Sequence, residues 1–266
     1  MKLNEKQIHT MRRIGPLLGW ILALTAQAAK PGITLAALDS FAYERIKQAR
    51  VKPAFLNYKG YRYATCLSLN DALVHGIPSN ERIRTGDVLG IDIGVKDEGV
   101  YVDSAHTIII GKGSTQDSQL LKVTESALMA GIAGVRDGVH LGDVQAAIAE
   151  VITKAHLGIV RDLCGHGIGP ELQMEPRILN FGERGTGPIL KAGMALAIEP
   201  MVTLGDWHVS TDPDGWTVRT ADGKRAAHFE HTILVTDKGS EILTKRPQNA
   251  TLSAYARVLG RMEELR

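Results

Sequence analysis

The chain has 266 residues, enough to bury a full core as one large domain or as two closely packed halves. Lys and Arg total 31 against 29 Asp and Glu, a formal charge of +2, so there is neither a basic field for nucleic acid nor an acidic tail. The two cysteines, Cys66 and Cys164, belong to no CxxC spacing and lack the pairing density of a secreted scaffold, which fits a reducing compartment.

The amino end has two readings. Lys2 to Arg13 is positively biased, Ile14 to Leu24 is apolar, and Ala26-Gln27-Ala28 has the form of a signal-peptidase site. The same residues also place Ile8, Met11, Leu18, Ile21, Leu22 and Ala28 near helical spacing behind Asn4 as N-cap. The second reading, an amphipathic helix ending before Pro31-Gly32 and kinked at Gly15-Pro16, is preferred. A second helix is expected from Thr34, its N-cap, to Ala49, with Leu35, Leu38, Phe41, Ala42 and Ile46 on one side. An aromatic, turn-rich stretch, Ala54 to Tyr61, follows, then a strand from Thr65 to Leu69. His75, between an apolar run and a Gly-Ile-Pro turn, reads on its own merits as a hydrogen-bonded histidine.

The stretch Val88 to Ile110 reads as two β-rich runs around Lys96-Asp97-Glu98-Gly99. A two-residue loop of Asp97 and Glu98 sets Val95 against Val100 and Asp92 against Asp103, with both acids on one face. Like charges so placed repel. Ile91, Ile93, Val95, Val100 and Val102 indicate that the other face is apolar and buried. A buried carboxylate pair then either shares a proton or holds a cation, because two unpaired charges in a dry site cost too much.

Asp117 to Gly134 and Leu141 to Ala155 read as two further helices covering one face of a sheet. Extended structure resumes at Ile159 and reaches Cys164-Gly165-His166-Gly167-Ile168-Gly169-Pro170, where glycines permit the close backbone approach that an imidazole aimed at a ligand needs. A phosphate cradle would open a helix and carry a lysine; Pro170 follows instead. Met194 to Pro200 is a short apolar strand with Glu199 at its end. Trp216 to Val218 and Ala227 to Val235 are two more strands, the latter carrying Glu230.

Collected, Asp92, Asp103, His166, Glu199 and Glu230 are four carboxylates and one imidazole on or beside strands. Hard oxygen ligands with one nitrogen suit two divalent first-row ions better than a structural zinc, and four negative charges balance two such ions. A pair of that kind activates water for hydrolysis.

NDALVHGIP, GIDIG with a second Asp eleven positions on, CGHGIG, AIEP and HFEHTILVTDKGSEILT resemble, in order and spacing, the signatures of the type I methionine aminopeptidases, over about Gln7 to Pro247. The GHGIG form is similar to type I rather than to type II or the proline-specific relatives. The resemblance implies an α+β pita-bread fold: two pseudo-symmetric halves around a curved antiparallel sheet with flanking helices. It implies one catalytic domain over 1–247, with 1–30 as an amino-terminal helix; the tail, 248–266, lies outside the resemblance and reads as one more helix.

It further implies two divalent ions, cobalt, manganese, iron or zinc, bridged by Asp103 and Glu230, with Asp92 on one and His166 and Glu199 on the other. Glu199 would be general base for a bridging water, and His75 would hydrogen-bond or protonate the scissile amide. A methionine pocket would draw on Phe55, Tyr58, Tyr61, Cys66, Leu172 and Trp216. The implied substrates are amino termini of nascent polypeptides in the cytoplasm, with the ribosome a candidate partner, no DNA or membrane, and a monomeric chain.

Some residues depart from the family. Gln173 stands where a second histidine contacts the substrate backbone; it can donate a hydrogen bond but carries no charge, so weaker transition-state stabilisation is expected. Phe55 and Leu172 also differ from the commoner choices, which bears on pocket shape and the strictness of the methionine preference. Two alternatives remain: an Xaa-Pro aminopeptidase or dipeptidase, which normally carries a further amino-terminal domain, and a non-catalytic binding relative, which normally loses ligands.

Overall fold

The computed structural model describes residues 1–263. Helix α1, Glu5–Ala28, starts at Asn4, whose side chain accepts from the Gln7 amide while the Gln7 side chain accepts from the Asn4 amide. This reciprocal cap satisfies two otherwise orphaned donors. The helix runs through Pro16. Met11, Ile14, Leu17, Leu18, Ile21 and Leu22 are all but fully buried on it; at about 1.5–3 kcal/mol each, their burial outweighs the roughly 3 kcal/mol that an interior proline costs. Residues 5–28 thus form a core helix, as the second reading of the amino end expects. Helix α2, Leu35–Gln48, is capped by Thr34. Its Asp39 accepts from the amides of Ala64 and Thr65 and from the Thr65 hydroxyl, tying the helix to the first long strand.

That strand, β1 (Thr65–Leu69), and β3 (Val100–Ile109) pair antiparallel on either side of β2 (Val88–Asp97). The register differs from the one expected. The loop residues are Glu98 and Gly99, both at positive φ (45° and 78°), as a type I′ hairpin turn requires. Asp97 therefore faces Val100, Asp103 faces Gly94 and Asp92 faces Ala105. The shift is by two residues, so it preserves which face each side chain occupies. The two acids still share a face, now as diagonal neighbours about 7–8 Å apart rather than directly opposed. Ile91, Ile93, Val95, Val100 and Val102 are fully buried on the other face.

The second half repeats the plan. Helices α3 (Thr115–Gly134) and α4 (Leu141–Lys154) pack on an antiparallel sheet of order β8-β7-β6-β4-β5. Its strands are β4 (Gly165–Gly167), β5 (Met174–Ile178), β6 (Ala195–Ile198), β7 (His231–Thr236) and β8 (Gly239–Ile242). Each half has its own apolar core, one around α1, α2 and β1–β3, the other around α3, α4 and β6–β7.

Two expected strands are corrected. Ala227 to Val235 is not continuous: Ala226–His228 pairs with Met201–Thr203, the chain breaks at Phe229 and Glu230, and β7 pairs elsewhere. Two short strands with different partners satisfy more backbone groups here than one long strand with a single neighbour. Trp216 and Thr217 lie outside any strand because Asp214 captures both of their amides in a turn, and the strand begins at Val218.

The halves meet where β3 passes this broken segment. The Glu230 amide donates to the Ala105 carbonyl at 3.0 Å, and Ser104 Oγ donates to the Glu230 carbonyl at 2.7 Å. Thr232 Oγ1 accepts from the Asp103 amide and donates to its carbonyl; Thr107 Oγ1 does the same for His228. These buried hydroxyls replace a regular strand ladder.

The tail forms α5 (Leu252–Glu263), and the expected residues 264–266 lie outside the described chain. Tyr255 is 1% exposed; its hydroxyl donates to the Arg45 carbonyl at 2.9 Å and its ring lies 6.4 Å from that of Trp20. The tail thus fastens α1 to α2.

Two glycines let α1 touch the far half. A Cβ at Gly15 would lie 2.4 Å from the Leu243 carbonyl oxygen, and one at Gly19 would lie 2.3 Å from that of Lys245. Gly15→Ala is expected to destabilise the fold by about 1–3 kcal/mol, lowering the thermal midpoint by several degrees. Gly239→Ala, where a new Cβ meets nothing within 4 Å, is expected to leave it unchanged. Calorimetric melting of both variants checks the contrast.

Candidate metal centre and active site

A cavity of about 220 Å³ opens between the halves. It is lined by Asp92, Asp103, His166, Glu199 and Glu230, by His75 and Gln173, and by the apolar set Phe55, Tyr58, Tyr61, Cys66, Leu172 and Trp216. Every side chain singled out in the sequence thus converges on one space, although the outermost two are 175 positions apart (230 minus 55).

Local structure explains each placement. Asp92 and Asp103 come from the hairpin face already described. Gly94, beside Asp103, has no room for a side chain: its Cβ would lie 2.8 Å from Phe55 Cε1, so Phe55 packs over the bare strand at the cavity wall. His166 sits between Gly165 and Gly167, whose Cβ atoms would strike the carbonyl oxygens of Ala197 and Glu175 at 2.4 and 2.3 Å. The close approach expected from the glycines is therefore real. His166 Nδ1 lies 3.0 Å from the Gly167 carbonyl, an acceptor only, so Nδ1 carries the proton and Nε2 presents a lone pair to the cavity. Glu199 follows β6, with its carbonyl held by Asn180 Nδ2 at 3.2 Å. Glu230 occupies the break before β7. His75 has a left-handed backbone at φ 58°, a strained conformation for a non-glycine residue.

Ligating atoms of Asp103, His166 and Glu230 lie within 4.8 Å of one another. His166 Nε2 is 3.5 Å from Glu199 Oε1. Buried Asp92 Oδ1 and Glu230 Oε1 have no hydrogen-bond partner among the described residues. Desolvation, reinforced by the charge of Glu199, pushes Asp103 up to about 7; desolvation does the same to Glu199. Asp92 and Glu230 are raised well above the usual carboxylate range by burial and then by Asp103. Such a cluster takes up either protons or cations. Orphaned carboxylate oxygens beside a correctly turned imidazole fit divalent ions.

Burial, then His228, lowers His75 to about 4, so its imidazole is neutral at pH 7 and has one N–H to donate. Tyr61 is held by its hydroxyl, which donates to the Thr65 and Gly76 carbonyls, and its ring meets Trp216 edge-on at 5.0 Å. Two residues escaped the sequence reading. Lys59 lines the mouth, with Nζ 5.1 Å from the Tyr58 ring centroid. His228, 4% exposed, brings Nε2 to 3.4 Å from Glu199 Oε2. Its spacing of two from Glu230 would share a face only along an unbroken strand, and the strand ends at His228, so residue order offered no sound signal for it.

The fold and this acid-floored cavity define a pita-bread metallopeptidase. The model of Metallopeptidase family M24 matches residues 9–237. Methionine aminopeptidase 1 of Bacillus subtilis is 43% identical over 242 residues, 91% of this chain and 98% of its own length. The crystal structure of methionine aminopeptidase from Thermotoga maritima, 42% identical, superposes with a TM-score of 0.91 over 92% of this chain and 99% of its own. Prolidase from Pyrococcus furiosus, 21% identical at a TM-score of 0.75, shares the fold, and only 66% of it is covered. The chain belongs to metallopeptidase family M24, on its methionine aminopeptidase branch.

The raised carboxylates set a pH dependence. Groups bound more tightly to protons in the folded state than in the unfolded state make the chelated protein lose stability as pH rises from about 4, the unfolded value, through about 7. Cations need the ionised form. The gain in melting temperature on adding Mn²⁺ to chelator-treated protein is therefore expected to grow between pH 5 and 7.5; a gain independent of pH would contradict it.

Proposed function

We propose that this protein is a metal-dependent aminopeptidase that hydrolyses the bond after an amino-terminal methionine. The observation that carries this reading is the convergence of buried acids and a lone-pair-presenting His166 on the floor of a small apolar pocket. Asp92, Asp103, His166, Glu199 and Glu230 would hold two divalent ions, all five being acids or an imidazole that line the one cavity. When bound, the ions polarise the scissile carbonyl and lower the pKa of water.

The rest is done by the chain. Glu199, which lines the cavity beside His166, is the group that takes a proton from the attacking water. Neutral His75 donates its N–H to the scissile amide. Gln173 donates from its carboxamide to the substrate backbone but moves no proton. Tyr58 and Trp216 flank the methionine side chain, with Phe55, Tyr61, Cys66 and Leu172 closing the pocket. These side chains share one cavity of about 220 Å³ with the acids, which supports an apolar side chain binding next to the reacting bond.

The substrates are amino termini of nascent polypeptides, met by a monomer in the cytoplasm, where the ribosome is the partner to test. The burial of α1 in the core supports this reading, and no described helix is long and apolar enough to cross a membrane.

Metal-loaded protein is expected to cleave Met-Ala-Ser, and not Ala-Pro-Ser or Ala-Pro, with all turnover abolished by chelation. Asp103→Ala is expected to lose bound metal and about a thousandfold in turnover together, ~4 kcal/mol of transition-state stabilisation. Plasma emission of the purified variant alongside peptide kinetics checks both at once; retained activity without metal defeats the proposal. Gln173→His is expected to raise kcat/KM about tenfold through one stronger contact in the transition state. An unchanged kcat/KM removes Gln173 from the site.

A further inference from the structure

Glu199 shows its two oxygens to two different imidazoles. Oε1 lies 3.5 Å from His166 Nε2, and Oε2 lies 3.4 Å from His228 Nε2. The two rings do different work. His166 Nε2 bears a lone pair, so it and Oε1 are two acceptors that a common cation would join. His228 is 4% exposed, and its Nε2 makes no well-formed hydrogen bond among the described residues. A buried imidazole nitrogen is rarely left without a partner, which points to a partner engaged when the site is at work.

The backbone that carries the ring is held in place. Its backbone amide donates to Thr107 Oγ1 at 3.0 Å, and Thr107 Oγ1 donates to its carbonyl at 2.7 Å, so β3 fixes the residue from across the seam. A carboxylate oxygen has two lone-pair directions, and a donor on one leaves the other free.

We propose that His228 is a positioning residue: with its proton on Nε2 it donates to Glu199 Oε2 and holds the carboxylate plane. Oε1 is then kept on the cation side with His166, and the second lone pair of Oε2 is turned towards the proton it accepts. This rests on Glu199 serving as the base in the proposed function. It assigns the alignment of that base to a residue outside the ligand set. Losing a partner that orients a ligating group typically costs about 10–100-fold.

The test compares His228→Leu, which removes the donor, with His228→Gln, whose carboxamide replaces it, on Mn²⁺-loaded enzyme. The Leu variant is expected to bind the same number of Mn²⁺ ions by calorimetry, with KM for Met-Ala-Ser within about twofold and kcat lowered about 10–100-fold. The Gln variant is expected to restore kcat to within about threefold of the parent. If the Leu variant fails to fold, His228→Met, an unbranched side chain that adapts to irregular space, takes its place. Full kcat in the apolar variant, equal impairment of the apolar and Gln variants, or loss of Mn²⁺ from either overturns the assignment. A parent enzyme inactive on Met-Ala-Ser would instead overturn the proposed function and leave the metal isotherms to be read by themselves.

Discussion

Repulsion among four buried carboxylates governs this molecule. Asp92 and Asp103 come from the first half, Glu199 and Glu230 from the second; burial raises all four above the ordinary carboxylate range, and the charge of a neighbouring carboxylate adds to the rise at Asp92, Asp103 and Glu230. Bringing them together costs free energy that only protons or cations return. The seam between the halves opposes that cost directly. Ser104, Thr107 and Thr232 bridge β3 to the segment around Glu230 through buried hydroxyls, so Asp103 and Glu230 are carried on backbones joined at the very residues that repel.

The frame around the seam is rigid for separate reasons. Helix α1 lies against the backbone of residues 243–245 through Gly15 and Gly19, which couples the first half to the last strand of the second. Tyr255 of the tail then pins α1 and α2 from outside. Catalytic groups must be held to within a fraction of an ångström, and supports on packed elements do this better than loops. His75 shows the converse: its left-handed backbone is strained and persists because Gly76 is wedged against Leu67, where a Cβ would lie 2.2 Å from the carbonyl oxygen.

Charge also divides the cavity. The acids form its floor and the aromatic and aliphatic groups its walls, with Lys59 at the mouth. His75 and His166 also line it, and His228 lies behind Glu199. Burial lowers His75 and His228 to about 4, so both imidazoles remain neutral donors beside the carboxylates rather than cancelling the negative charge that attracts a cation. The site therefore sets carboxylate oxygens beside uncharged imidazoles.

Much of this could be read from residue order alone. Periodicity located α1 to α4, because each buries an apolar stripe, and the caps at Asn4 and Thr34 were visible because capping is local chemistry. The glycines around His166 announced close approach, and β-strand parity placed Asp92 and Asp103 on one face even with the wrong hairpin register, since a shift of two leaves parity intact. Three things needed the folded chain. The turn chose Glu98 and Gly99 by backbone dihedrals that depend on the twist of both strands. The strand through Glu230 broke because two different neighbours offered better pairing. His228 became a neighbour of Glu199 only when strands 29 positions apart in sequence were laid together (228 minus 199). Local conformational preference and alternation are written residue by residue, whereas which carboxylate meets which imidazole is decided by packing between halves that no short stretch encodes.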